Sequence, residues 1–218
     1  MRKETAVKRI FYSFILAAAV LGLSTDSRAE NYIQAYLGAA IPHKADVEGG
    51  GQAGRMEFEV GPSVGVKGGW FRDPSSIFGL QVDLNAHFPD TDELGAGGVR
   101  AAMDADVRVL SASVNAIARY TQPALRPYAG IGLGWYFGRI SNGTLATPVF
   151  GVSNTFSGDS DHTLGWHLLA GVDFPVITNF SIFGEYKYAR ADFSFGGDLN
   201  FDVDYEASQI YGGISYSF

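Results

Sequence analysis

Residues Phe78–Phe88 read FGLQVDLNAHF. Phe78, Leu80, Val82, Leu84, Ala86 and Phe88 share one parity, and Gly79, Gln81, Asp83, Asn85 and His87 the other. Successive side chains leave a β-strand on opposite sides, so a period of two predicts a strand with one apolar and one polar face. The alternation recurs over Tyr32–Ile41, Val60–Trp70, Leu110–Tyr120, Ala129–Gly138, Leu164–Phe174, Phe180–Tyr188 and Ile210–Phe218, which makes eight strands. Two architectures accept them. A soluble sandwich buries the apolar faces, whereas a membrane barrel turns them outward to lipid and keeps the polar faces for its lumen.

Three features favour the barrel. The links near 72–76, 121–127 and 175–179 are short and carry Pro, Asp or Asn. Those near 42–56, 89–105 and 141–160 are long, polar and Gly-rich, and the link near 195–200 is shorter but contains Gly and Asp. Short turns at one end and longer loops at the other suit a barrel crossing a bilayer. The apolar rows also end in aromatics. Trp70, Phe78, Tyr120, Phe174, Phe180 and Phe218 stand at the short-turn end, with Phe88, Trp135, Trp166 and Tyr188 at the long-loop end. Two aromatic girdles about 9–11 residues apart fit tilted membrane strands. Lastly, parity inverts near the long-loop end. Asp106, Arg108, Arg190, Asp192, Asp202 and Asp204 take the apolar parity there, and Val107, Val109, Phe193, Phe195, Phe201, Val203 and Tyr205 turn inward. The barrel is expected to continue there past the membrane into water.

The first residues predict export. Arg2, Lys3, Lys8 and Arg9 precede an apolar run, Ile10–Leu23, and a small-residue exit, Ser27-Arg28-Ala29. That is the layout of a secretory signal peptide, too short in its apolar part to span a bilayer stably. Residues 1–29 are assigned to the signal, with cleavage after Ala29, and residues 30–218 to one barrel domain. The formal charge of −7 then becomes −10, with 11 basic and 21 acidic residues left. This acidity argues against a nucleic-acid partner. With no cysteine, the chain has neither disulfides nor a Cys nucleophile or zinc ligand. Its 28 glycines and its charged fraction of 18%, below the usual quarter, suit lipid-facing strands around a crowded interior.

Phe218, with Tyr216 and Ile214 on its face, is similar to the C-terminal strand signal read by the outer-membrane assembly machinery. Pro127-Tyr128-Ala129-Gly130-Ile131-Gly132-Leu133-Gly134 and Glu185-Tyr186-Lys187-Tyr188 resemble middle-strand and penultimate-strand motifs of the small eight-stranded outer-membrane barrels of the OmpA-like, OmpX-like and opacity-protein type. The resemblance implies an all-β, antiparallel, up-and-down transmembrane barrel in the bacterial outer membrane, with lipid and lipopolysaccharide as its surroundings.

Eight strands enclose a lumen just wide enough for side chains. Lys67, Asp83, Arg119, Asp173, Glu185 and Lys187 point into it, with His167 and amides between them. Charges in so small a space must pair. Two readings follow: a polar plug that fixes barrel shape, or a narrow ion or water path. The inward apolar set at the outer end is either a small upper core or a vestibule for a hydrophobic molecule. Of the four histidines, His162 and His167 lie on opposite faces of one strand, His43 lies in the first long loop, and His87 is placed to face Asp83. Ser160, Asp161 and His162 are adjacent along a strand and point apart, so no catalytic site, metal site or cofactor is expected. The acidic Gly-rich loops suggest an envelope-integrity or adhesin-like role. A porin-like channel or hydrophobic-ligand conduit is the alternative, and an envelope lipid-modifying enzyme comes third.

Overall fold

Alternating β-branched and aromatic residues with turn formers between them give an all-antiparallel structure. The computed structural model describes residues 29–43, 45–49, 52–58, 60–88, 91–96, 99–104, 107–121, 124–140, 143–147, 152–156, 160–195 and 201–218. Residues 1–28 of the expected signal, and Asp90, Asp106 and Asp198 of the acidic loops, lie outside them. For residues 45–49, 52–58, 91–96, 99–104, 143–147, 152–156 and 201–203, and for Ile140 and Phe195, the account is of the backbone alone.

The strands in chain order are β1 (Glu30–Pro42), β2 (Ala45–Gly49), β3 (Gln52–Phe58), β4 (Gly61–Phe71), β5 (Phe78–His87), β6 (Thr91–Ala96) and β7 (Val99–Asp104). They continue as β8 (Val107–Arg119), β9 (Arg126–Ile140), β10 (Gly143–Thr147), β11 (Val152–Phe156), β12 (Ser160–Ile177), β13 (Phe180–Phe195) and β14 (Phe201–Ser217). The long strands pair in the order β1-β4-β5-β8-β9-β12-β13-β14, and β14 returns to β1, from Tyr32↔Ser217 to Pro42↔Ala207. The result is a closed barrel of eight strands, which leaves no open edge at membrane depth.

Outward and inward rows separate sharply. Leu37, Phe78 and Leu133 are 73%, 75% and 71% exposed, whereas Asp83 and His167 are 0% exposed. Among the described residues no helix is long and apolar enough to cross a membrane. The exposed apolar rows therefore lie on strands. Along β9 the outward row runs Ala129, Ile131, Leu133, Trp135, Phe137. At a rise of ~3.3 Å per residue and a tilt of ~40° it covers roughly 20 Å, close to the apolar band of outer-membrane barrels.

Two turns show how the short-link end is fixed. The Asp73 carboxylate accepts from Ser75 N (2.9 Å), Ser75 Oγ (2.5 Å) and Ser76 Oγ (2.8 Å), an Asx-type turn between β4 and β5. Those hydrogen bonds, Ser75 first, hold its carboxyl below the ordinary carboxylate value. Between β12 and β13, Asn179 Nδ2 donates to Ser217 O (2.7 Å) and Ser217 N donates to Asn179 O (2.9 Å), which ties the turn to the last strand.

The long links differ from the expected loops. They contain β2, β3, β6, β7, β10 and β11, which pair in series from β14 onward and extend the wall beyond the barrel. Their strands are five to seven residues long, and β2, β3, β6 and β10 contain glycine, so the period-two signal is diluted. Pairing with a preformed strand end satisfies backbone groups that a bare rim would expose, and it overrides weak local preference.

Candidate functional site

The inward parity of the eight long strands places almost all buried polar side chains in one column along the barrel axis, and they sort into three layers. In the middle layer, Lys67 Nζ meets Glu185 Oε1 at 2.5 Å and Lys187 Nζ meets Asp83 Oδ2 at 2.6 Å. Each carboxylate also accepts from one tyrosine: Tyr36 Oη to Asp83 Oδ1 (2.7 Å) and Tyr128 Oη to Glu185 Oε2 (2.9 Å). All four charged side chains are essentially unexposed. The pairing is transverse. Lys67 is the in-register neighbour of Asp83 on the adjacent strand, yet its ammonium reaches Glu185 on β13. Lys187, also on β13, crosses to Asp83 on β5. The two bridges form a crossbar, and Lys67 lies 4.9 Å from the Tyr36 ring centre, 5.5 Å from Phe183 and 5.7 Å from Tyr211. Those rings contribute cation–π attraction to a cation removed from water.

The layer on the short-turn side is held by Arg119. Its guanidinium binds Glu30 through two bonds, Nη1 to Oε1 (2.9 Å) and Nη2 to Oε2 (2.8 Å). It also donates to the carbonyls of Ser76 (3.2 Å) and Pro74 (3.1 Å), and it stacks 3.5 Å from the Phe71 ring centre. Bidentate pairing and stacking are the two geometries an arginine fork provides and a lysine does not. Beside it lies a cavity of about 40 Å3, between Tyr32, Gln34, Gln81, Arg126, Tyr128 and Asp173. Asp173 stands here, apart from the crossbar, and accepts from Ser181 Oγ (2.6 Å). Sequence parity put Asp173 in the lumen but carried no information on its depth.

Toward the outer end, hydrogen bonds run in one direction. Asn115 Nδ2 donates to Gln81 Oε1 (2.8 Å), so Asn115 Oδ1 is an acceptor and His167 Nε2, 2.7 Å away, carries the proton. His167 Nδ1 then accepts from Tyr136 Oη (3.1 Å), and Gln81 Nε2 donates to Tyr32 Oη (2.9 Å). The chain Tyr136–His167–Asn115–Gln81–Tyr32 thus links the upper lumen to the lower cavity. A Cβ at Gly132 would overlap Asn115 Oδ1 and His167 Nε2, so only glycine allows this approach. His87 is wholly buried but does not bond Asp83 as expected from the sequence. Its ring partners are Asn85 Oδ1 (3.4 Å) and Tyr205 Oη, because Asp83 and His87 are four residues apart on one strand, roughly 13 Å along it.

Above these lie Val107, Val109, Phe193 and Tyr205, all buried, with Phe193 edge-on to Tyr205 at 6.0 Å. Phe195 is cross-strand to Phe201 and Val203 to Phe193, but the side chains of Phe195, Phe201 and Val203 lie outside the described residues. The girdle residues Trp70, Phe78, Tyr120, Phe174, Phe180, Phe218, Phe88, Trp135, Trp166 and Tyr188 occupy the outward parity at the two ends, half-buried or exposed. Trp166 leans on Tyr188 (6.0 Å), and Phe180 on Tyr216 (4.8 Å). Sequence reasoning missed the tyrosines Tyr32, Tyr36 and Tyr211 as lumen anchors. Their inward parity opposite glycines was the available signal. No cluster of three His, Asp or Glu suited to a metal occurs among the described residues.

Comparison with known proteins places the fold. Residues 14–218 match the family described as outer membrane protein beta-barrel domain. No curated protein matches the chain. Among solved structures, OprG of Pseudomonas aeruginosa is 15% identical, with 88% of this chain and 97% of that one covered and a TM-score of 0.57. Neisserial surface protein A is 18% identical, covering 86% and 97%, with a TM-score of 0.46. Ail of Yersinia pestis, solved with the heparin analogue sucrose octasulfate, is 18% identical, covering 88% and 99%, also at 0.46. With the family match spanning nearly all of it, the chain belongs to the outer membrane protein beta-barrel domain family, whose members reside in the bacterial outer membrane.

Proposed function

We propose that this protein is a non-conducting, non-enzymatic outer-membrane barrel that acts through its outward surface, in envelope integrity or in surface interaction of the adhesin type. The supporting observation is the crossbar: Lys67–Glu185 and Lys187–Asp83 span the lumen at 2.5 and 2.6 Å, backed by tyrosines and by the Arg119–Glu30 clasp below. A general porin needs a lumen free of such bridges. The upper set, with Val107, Val109, Phe193 and Tyr205 buried against His87 and Gly138, is read as a small outer core. In the ladder beside it, Phe195 pairs with Phe201 and Phe193 with Val203. Recording from planar bilayers tests the proposal. Wild-type barrel is expected to give no discrete current steps, and sustained steps of porin size would overturn it.

The same proposal includes export by residues 1–29 and delivery by the assembly machinery through β14. Glu30, the first residue after the assigned cleavage, spends its carboxylate on Arg119, which suits a mature chain beginning there. N-terminal sequencing of the membrane-extracted protein checks it; a start upstream of Glu30 would move the cleavage site. Lipid, lipopolysaccharide and a surface ligand are the proposed partners, with no cofactor.

A further inference from the structure

The outer rim of the wall carries a directly opposed pair of positive charges. Arg108 on β8 and Arg139 on β9 are directly opposed in the ladder, and both are exposed on the outward parity. The next outward pair toward the membrane, Leu110 and Phe137, is also directly opposed. The two guanidinium groups therefore stand one outward step past the apolar band. Two residues of tilted strand put them about 5 Å beyond Phe137, the depth of lipid headgroups. Neither arginine has a carboxylate partner among the described residues. Arg190, at the outer end of β13, is by contrast held by Glu206 at 3.1 Å. The Arg108 guanidinium lies 5.4 Å from the Phe88 ring centre, which positions it against the girdle.

Like charges directly opposed weaken a ladder, and an anion shared between them reverses the sign of that interaction. We propose that Arg108 and Arg139 clamp a phosphate monoester on the headgroup of an outer-leaflet lipid, whose acyl chains lie along Leu110, Leu133 and Leu164. A guanidinium fork donates two parallel hydrogen bonds to phosphate oxygens, and two forks match the nearly two negative charges of a monoester. Continuity with the lipid-facing row selects a lipid over free phosphate. Exposed charges alone are screened at physiological salt, whereas a lipid adds apolar burial to the same contact. The site deepens the reading above, because it requires the barrel to sit in a membrane with β8 and β9 opening outward.

The test uses the full barrel refolded in zwitterionic micelles and native mass spectrometry with three probes: diphosphoryl lipid A, its enzymatically dephosphorylated form, and inorganic phosphate. Diphosphoryl lipid A is expected to bind wild type. Arg108→Gln and Arg139→Gln should each weaken it about ten-fold, the loss expected for one charge-assisted interaction. Arg72→Gln, in the opposite turn, should leave it unchanged, and the dephosphorylated lipid should bind wild type and variants alike and weakly. Unchanged affinity in the Arg108→Gln/Arg139→Gln double variant overturns the site. Arginine-dependent binding of inorganic phosphate as tight as that of the lipid overturns the lipid assignment. Heat-modifiable gel mobility is recorded for every sample; its absence in wild type would overturn the membrane reading instead of the site alone.

Discussion

Replacing Glu185 by glutamine removes the anion from one arm of the crossbar and leaves Lys67 buried. The side chain of Lys67 has 0% exposure, so water cannot replace the lost partner. Removing one member of a buried ion pair costs about 3–5 kcal/mol, because the remaining charge stays desolvated. The rings of Tyr36, Phe183 and Tyr211 around the ammonium offset part of this, at about 0.5–2 kcal/mol for a desolvated cation. A net loss near 3 kcal/mol is therefore expected, about a hundred-fold in the folding equilibrium. The companion variant Lys67→Met/Glu185→Leu removes both charges and should recover most of that stability, since apolar replacement of a buried pair is often neutral or better. Urea unfolding from micelles, followed by the fluorescence of Trp70, Trp135 and Trp166 and by gel mobility, measures both. A Glu185→Gln barrel as stable as wild type would refute the crossbar as an energetic unit. So would a double variant less stable than the single one.

Asn115→Leu breaks the one-way chain and leaves His167 Nε2–H and Gln81 Oε1 without partners; a loss of about 2–3 kcal/mol is expected in the same unfolding assay. Phe193→Ala should cost about 3–5 kcal/mol if the outer set is core, with no loss of binding to a hydrophobic fluorescent probe. Retained stability with lost probe binding would favour a vestibule. Asp73 should titrate below 3.8 by carbon NMR, and Ser75→Ala should bring it back up. Its folded pKa is depressed, so the stability it contributes is present above the unfolded value and disappears as pH falls through the folded one.

Parity made the eight strands and the direction of each face legible, because a slip of one residue would invert a whole row, but it did not single out Glu30 as the partner of Arg119. It fixed neither depth nor partner. Lys67 and Asp83 are neighbours in register, and nothing in their spacing tells that Lys67 reaches Glu185 instead. That choice is made by the curvature of a closed ring, where side chains from distant strands converge on the axis. Asp173 illustrates the same limit: it lines the lower cavity and joins Ser181, not the lysines. The wall extension from β2 to β11 was hidden for another reason. Its strands alternate too briefly to stand out, and they pair with one another and with β14.

The seam between β1 and β14 has a consequence for how the molecule comes together. Every other junction in the ring joins strands that follow one another around it. The seam joins Tyr32 to Ser217, with all the other strands of the ring between them in the chain. Closing so long a loop delays the reward for the contacts that close it. Until β14 docks, β1 and β13 each present a line of unpaired amides and carbonyls that lipid cannot solvate. The eight-stranded wall is thus an all-or-none object whose integrity rests on its last element, and truncation of β14 should abolish the inserted state.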